Sequence, residues 1–298
     1  MSRSSEPGRR RGRRWRLVLP VVAVIAIMWA AVACGGTSQP TDPAQTSPAQ
    51  TSPAQTSPAQ TSPAASTGKD CLQLVVPAYF YSSAIWAQAA EVKPAPGDII
   101  LDISGVGAGN APDAHFQAVA EQAKAAGETV LGYISTVDGQ RPASQVETEV
   151  RNYKAWYGVT SIFLDRVSGE PQQLAYYRQV VNYIHGFDAG SSVWLNPGDY
   201  PDQQYMSIGD VVMVFEGTYA QYLTLQVPSW VDDYPASKFA HTIYATSASD
   251  LANALNLATS RRDAHVYVTD GSGANPYAAL PSYWSREDSV ASSGCTAG

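Results

Sequence analysis

Two acidic residues each close an apolar run. Ile162-Phe163-Leu164 leads into Asp165, and Val211-Val212-Met213-Val214-Phe215 leads into Glu216. A continuous apolar run bounded by a turn reads as a strand buried on both faces, the kind found in parallel sheets. A carboxylate at the C-terminal end of such a strand belongs to the rim where α/β barrels carry their chemistry. Paired carboxylates across a cleft suit glycosidic bond cleavage. One protonates the leaving oxygen while the other attacks the anomeric carbon or activates water. The bland reading stands beside this one: an acid at a strand end can cap a helix or pair with arginine, and Arg166 and Arg178 are available to Asp165.

The same end of other candidate strands supplies Tyr79, Tyr81, Asp102, Tyr133, Thr136, Asn196, Tyr244 and Asp270. Of these, Tyr79, Asp102, Tyr133, Asn196, Tyr244 and Asp270 are the candidate substrate-binding set. Asn196-Pro197-Gly198 is either a plain turn or a turn that offers the Asn196 amide to a sugar hydroxyl. Tyr79, Tyr81, Tyr133 and Trp86 suit a packed core as well as a sugar platform. Asp102 and Asp270 are rim acids with a binding or structural role. Gly105, Gly107 and Gly109 lack the spacing of a phosphate loop and read as a flexible rim loop. His115, His185, His241 and His265 show no paired spacing, so no metal site is expected, and no cofactor. No G-x-S-x-G elbow marks a serine hydrolase.

The elements that must position these groups alternate. Strands are expected at 72–81, 98–104, 129–136, 161–167, 191–197, 211–217, 240–246 and 264–270. Helices are expected at 112–126, 144–157, 172–187 and 249–261. Pro112-Asp113 and Ser249-Asp250 mark helix starts, and Gly127 and Gly186 mark stops. The connections after the fifth and sixth strands have little helical periodicity. Eight strands with intervening helices predict a single (β/α)8 TIM-type barrel over residues 70–298.

Ahead of the barrel, the chain changes character twice. Residues 1–34 carry seven Arg before an uncharged run that ends in Ala31-Val32-Ala33-Cys34. That pattern is a secretory signal, and the cysteine after small residues resembles a bacterial lipoprotein signal in which Cys34 is lipidated. An uncleaved membrane anchor is the competing reading, since the apolar run can span a bilayer. Both place the remainder outside the cytoplasm, tied to a membrane. Residues 35–69 repeat TSPAQ from Thr46, Thr51 and Thr56. Proline-rich and poor in apolar residues, this stretch reads as a disordered stalk.

With the seven Arg and one Glu of the signal set aside, 12 basic residues face 25 acidic ones, a net charge of −13. A surface so acidic, without a basic cluster, argues against nucleic acid and polyanionic partners and leaves neutral or cationic ligands open. Cys71 and Cys295 bracket the barrel. In an oxidising compartment the economical reading is a disulfide joining its ends. A monomer is expected.

The ordered motifs VVPAYFYSSAIW, VLGYISTVDGQR, WYGVTSIFLDRV, WLNPGDYPDQQY, VVMVFEGTYAQY and VYVTDGSGANPYAALPSYW, spread over residues 72–284, resemble the spherulation-specific family 4 (spherulin-like) proteins. The resemblance implies a barrel, and an activity like that of the family's secreted glycoside hydrolases, which cut α-1,4-linked galactosamine and N-acetylgalactosamine polymers such as galactosaminogalactan. It aligns Asp165 with the acid of the fourth-strand motif, Glu216 with the sixth-strand glutamate and Asn196 with the asparagine of the NPG motif. One position departs: where the family commonly places glutamate after the strand-four aspartate, Arg166 follows here. A guanidinium there is expected to lower the Asp165 pKa, which suits a nucleophile and leaves Glu216 as general acid/base. The expectation is thus a surface-anchored hydrolase of amino-sugar polysaccharide that retains anomeric configuration. The alternative is a non-catalytic glycan-binding barrel at the cell envelope. A structural role in spore or stress envelopes rests on the family's name alone.

Overall fold

The computed structural model describes residues 72–91 and 97–292. Lipidation at Cys34, the 35–69 stalk and the Cys71–Cys295 pair therefore lie outside the described residues. Eight parallel strands close into a barrel in sequence order: β1 (Gln73–Ala78), β2 (Asp98–Leu101), β3 (Thr129–Ser135), β4 (Ser161–Asp165), β5 (Val193–Leu195), β6 (Val211–Thr218), β7 (Phe239–Tyr244) and β8 (His265–Val268). Closure runs through β1 and β8, where Gln73 pairs with His265 and Leu74 with Val266. The expected (β/α)8 barrel is the observed one.

The helices are α1 (Ser83–Ala89), α2 (Ala114–Ala125), α3 (Ala143–Asn152), α4 (Leu174–Phe187), α5 (Tyr219–Leu223), α6 (Leu251–Ser260) and α7 (Trp284–Ser292). Sequence signals place most of them. Asp113 caps α2 by accepting a hydrogen bond from the His115 amide at 2.8 Å, which satisfies a donor the helix start leaves free. As the weak periodicity implied, β5 is followed only by a single 3₁₀ stretch, Gln203–Ser207, and β6 by the short α5. α4 ends at Phe187 as expected, one residue past Gly186, whereas α1 and α7 lie outside the expected helices. Both are short, and their apolar spacing is too brief to register as a period.

Two local features aim the rim. In β6 the register against β7 slips between Met213 and Phe215, so Phe215 rather than Val214 faces His241. One extra residue re-phases the alternation of the strand. Phe215 is left packing on Tyr222 and Glu216 lies in the cleft. The second feature is a π-helical turn, Tyr153–Tyr157, continuing α3. Its Tyr153 is fully buried, with the hydroxyl 3.1 Å from the Leu101 carbonyl and 2.8 Å from that of Tyr133. The ring lies over Gly132, where a Cβ would come within 2.7–2.9 Å of it.

Gly132→Ala must therefore push Tyr153 off the ends of β2 and β3. We expect it to cost about 1–3 kcal/mol of stability, the usual penalty for overpacking. Gly186→Ala, in a helix with open space at the new methyl, should be neutral or gain up to ~1 kcal/mol. Thermal unfolding of the two variants checks this. Equal effects would contradict the role of the Gly132–Tyr153 contact.

Candidate active site

The end of β4 delivers Asp165, and the chain then reverses at Arg166, held at φ +51°. The Thr136 amide donates to the Asp165 carbonyl at 2.9 Å, and the Thr136 hydroxyl to the Arg166 carbonyl at 2.7 Å. Thr136 is thus a buried strut, not a ligand. Just beyond β5, Asn196 is buried, its amide nitrogen donating to the Leu164 carbonyl and its carbonyl accepting from Val167. The turn reading of Asn196-Pro197-Gly198 is realised, while the Asn196 side-chain amide is turned to the two carboxylates and not offered to a sugar hydroxyl. Gly198 takes φ +72° and its carbonyl accepts the Glu216 amide at 2.9 Å. The turn therefore fixes Glu216 as well as Asn196.

The two carboxylates converge on one group. The Asn196 side-chain Nδ2 donates to Asp165 Oδ1 at 2.8 Å and to Glu216 Oε2 at 2.7 Å. Sharing that nitrogen, these two oxygens can be no further apart than 5.5 Å. The outer oxygens are held by phenols: Tyr133 donates to Asp165 Oδ2 at 2.6 Å, and Tyr277 to Glu216 Oε1 at 2.8 Å. Tyr79 bridges the phenols, edge-on to Tyr133 at 5.7 Å and to Tyr277 at 5.5 Å.

Both carboxyls titrate above their ordinary range. For Asp165 burial is the first cause, opposed by the bonds from Tyr133, the Arg166 amide and Asn196, then by the Arg166 charge. Glu216 is raised by burial first. The negative charge of Asp165 raises it further, while Asn196 and Tyr277 pull it back. More donors hold Asp165, from Tyr133, the Arg166 amide and Asn196, than hold Glu216, which has Asn196 and Tyr277.

One expectation is corrected here. Arg166 does not depress the Asp165 pKa overall, because its guanidinium turns outward to an exposed pair with Asp138 at 2.7 Å. Burial outweighs its residual pull. Neither Arg166 nor Arg178 forms an ion pair with Asp165, so the structural-pairing reading of Asp165 has no support in the contacts.

A cavity of about 1000 Å³ opens over this pair, with Tyr79, Asp102, Tyr133, Glu216, Tyr244 and Tyr277 among its walls. Of the two acids Glu216 lines the cavity, whereas Asp165 is not among its walls and is joined to them through its hydrogen bond from Tyr133. Asp102 accepts the Ser104 and Gly105 amides through Oδ1, and its pKa is raised, burial first. The glycine segment after it is pinned, not loose. Glu149 accepts the Ala108 amide at 2.9 Å and pairs with Arg141, which donates to the Val106 carbonyl.

Three candidates fall elsewhere. Asp270 is exposed and accepts the Ser282 amide and hydroxyl, so it anchors the approach to α7. Trp86 is core, its indole donating to the Phe80 carbonyl. Tyr81 lines the cavity but stands apart from the acids. The residue missed is Tyr277, which belongs to the long loop after β8. Its motif was visible in the sequence, but nothing in its spacing pointed to Glu216, 61 positions away.

Comparison with known proteins agrees with this architecture. The model of spherulation-specific family 4 matches residues 73–290. Spherulin-4 of Physarum polycephalum is 31% identical over 239 residues, which cover 76% of this chain and 71% of that protein. Among solved structures, Sph3 of Aspergillus clavatus in complex with GalNAc superposes with a TM-score of 0.63 at 22% identity, over 74% of this chain and 98% of that one. At that identity the superposition speaks for the fold.

Because both acids bind protons more tightly folded than unfolded, the stability they contribute is complete below the unfolded carboxylate pKa of about 4 and is lost as pH rises through the folded values. An Asp165→Asn/Glu216→Gln double variant should therefore gain melting temperature relative to wild type as pH rises above about 4. Paired melting curves across that range check it. A difference that stays constant with pH would contradict the burial of these charges.

Proposed function

This chain belongs to spherulation-specific family 4, and on that premise we propose that its barrel is a glycoside hydrolase acting on amino-sugar-containing polysaccharide. The observation that carries this reading is the pair of carboxylate oxygens held within 5.5 Å by the Asn196 amide. That bound belongs to the two bridged oxygens; whole-carboxyl separations of roughly 5–5.5 Å mark retaining enzymes and roughly 6.5–9.5 Å inverting ones, and we assign this pair to the retaining class.

In this scheme Glu216, protonated, donates to the glycosidic oxygen as the Asp165 carboxylate attacks the anomeric carbon. The carbon–oxygen bond breaks and a glycosyl ester forms on Asp165. Glu216, now ionised, takes a proton from water as that water attacks the same carbon, and the ester bond to Asp165 breaks. Both residues return to their starting states. The raised pKa of Glu216 keeps it protonated further toward neutrality than a free glutamate. Asn196 and Tyr133 hold Asp165 in place for attack.

For the substrate, the family resemblance and the GalNAc complex of the structural relative support an N-acetylgalactosamine or galactosamine polymer. Asp102 on the cavity wall and the acidic surface suit neutral or cationic sugars. Incubation with partially deacetylated galactosaminogalactan should release new reducing ends. Asp165→Asn and Glu216→Gln should each lower the rate by about 10³-fold, a general-acid or nucleophile loss. Undiminished hydrolysis in either variant removes that residue from its role. Retention of wild type on the polymer without cleavage identifies a glycan-binding barrel instead.

A further inference from the structure

One aromatic side chain at the cleft is left out of the chemistry above. Tyr81, in the loop between β1 and α1, is 63% exposed, the most open of the exposed large apolar side chains among the described residues. It lines the same cavity as Glu216 and Tyr277. Exposed tyrosines ordinarily sample several rotamers, but this one is built in. One face stacks on the His115 imidazole at 3.9 Å with 26° between planes. Its ring meets Phe116 edge-on at 5.6 Å and 89°. His115 is itself placed in the first turn of α2 by the Asp113 cap, with the Ser83 hydroxyl 3.4 Å from its Nδ1. Three elements, the β1–α1 loop, α1 and α2, thus hold one ring with its second face turned to solvent.

A face held this way has a defined chemical complement. Core packing does not explain it, because the open face covers nothing. The polar loops nearby would not stack on it. Pyranose rings carry a patch of C–H groups on one face, and in galacto-configured sugars the axial 4-hydroxyl leaves C3, C4 and C5 hydrogens clustered together. Such a patch stacks on an aromatic face. A tyrosine already fixed in place also loses little conformational freedom when it binds.

We propose that Tyr81, backed by His115 and Phe116, is a platform for a sugar residue of the polymer distant from the bond being cut. The proposal rests on the hydrolase reading for its substrate. Tyr81 makes no hydrogen bond to either carboxylate, so it acts in binding and the acids act in cleavage. Loss of the ring should weaken long substrates and spare ones too short to reach it.

The test compares Tyr81→Ala and Tyr81→Phe with wild type on partially deacetylated galactosaminogalactan and on a short chromogenic galactosaminide. Tyr81→Ala should raise KM for the polymer about tenfold, the equivalent of one lost stacking contact, with kcat within about twofold and the short substrate unaffected. Tyr81→Phe, which keeps the ring, should behave as wild type. Unchanged KM on the polymer, or equal loss on both substrates, overturns the platform. Affinity electrophoresis in gels containing the polymer separates this from the hydrolase reading. If wild type is retarded but releases no reducing ends, hydrolysis fails while the platform stands or falls on whether Tyr81→Ala loses the retardation and Tyr81→Phe keeps it. A wild-type protein that is neither retarded nor active overturns both.

Discussion

Two negative charges do not share a half-buried site unless something holds them there. Here a single amide nitrogen, Asn196 Nδ2, donates one hydrogen to each carboxylate. An asparagine amide has two donors, fixed about 120° apart in one plane, so the side chain sets both the separation and the orientation of Asp165 and Glu216. Burial, first, and the charge of Asp165 raise the Glu216 pKa, and burial raises that of Asp165 as well. Most of the rim can be understood as support for this bridge.

That support is assembled from every side of the barrel. β4 brings Asp165, the turn after β5 brings Asn196 and also fixes the Glu216 backbone, and the irregular register of β6 aims the Glu216 side chain. β3 contributes Tyr133, itself held by Tyr153 through the strand carbonyls, and the loop after β8 closes the ring with Tyr277. Strand ends are a rigid base for such a constellation, since each is buried among neighbours and paired on both edges. The loop that carries Asp102 is held by the Arg141–Glu149 pair, a contact wholly outside the cleft.

How much of this can be read from the chain depends on how local the cause is. Asp165 and Glu216 stand out because each ends a run of buried residues, and burial of a strand is written in consecutive letters. Asn196 is legible for a related reason, since a Pro-Gly pair after an apolar run marks a turn at a strand end. Tyr277 is not, because its position follows from how a long, aperiodic loop folds back across the barrel. The slip in β6 leaves no mark either, as Val214 is as apolar as its neighbours. Asp270 misleads in the opposite sense: it sits where a rim acid should, but the chain behind it returns and Ser282 takes up the carboxylate. Arg166 misleads through adjacency. A neighbour in sequence need not be one in space, and at positive φ its side chain leaves Asp165 for Asp138.

The proposed pairing of the two acids has a consequence visible in the product itself. If Asp165 is the nucleophile and Glu216 the proton carrier, displacement occurs twice at the same carbon and the configuration returns to its starting sense. Proton NMR of the sugar released from an α-linked galactosamine polymer, recorded before mutarotation, reads this directly. The account predicts that the α-anomer forms first. First appearance of the β-anomer would mean a single displacement, and the bridged carboxylates could not then be the nucleophile and acid described.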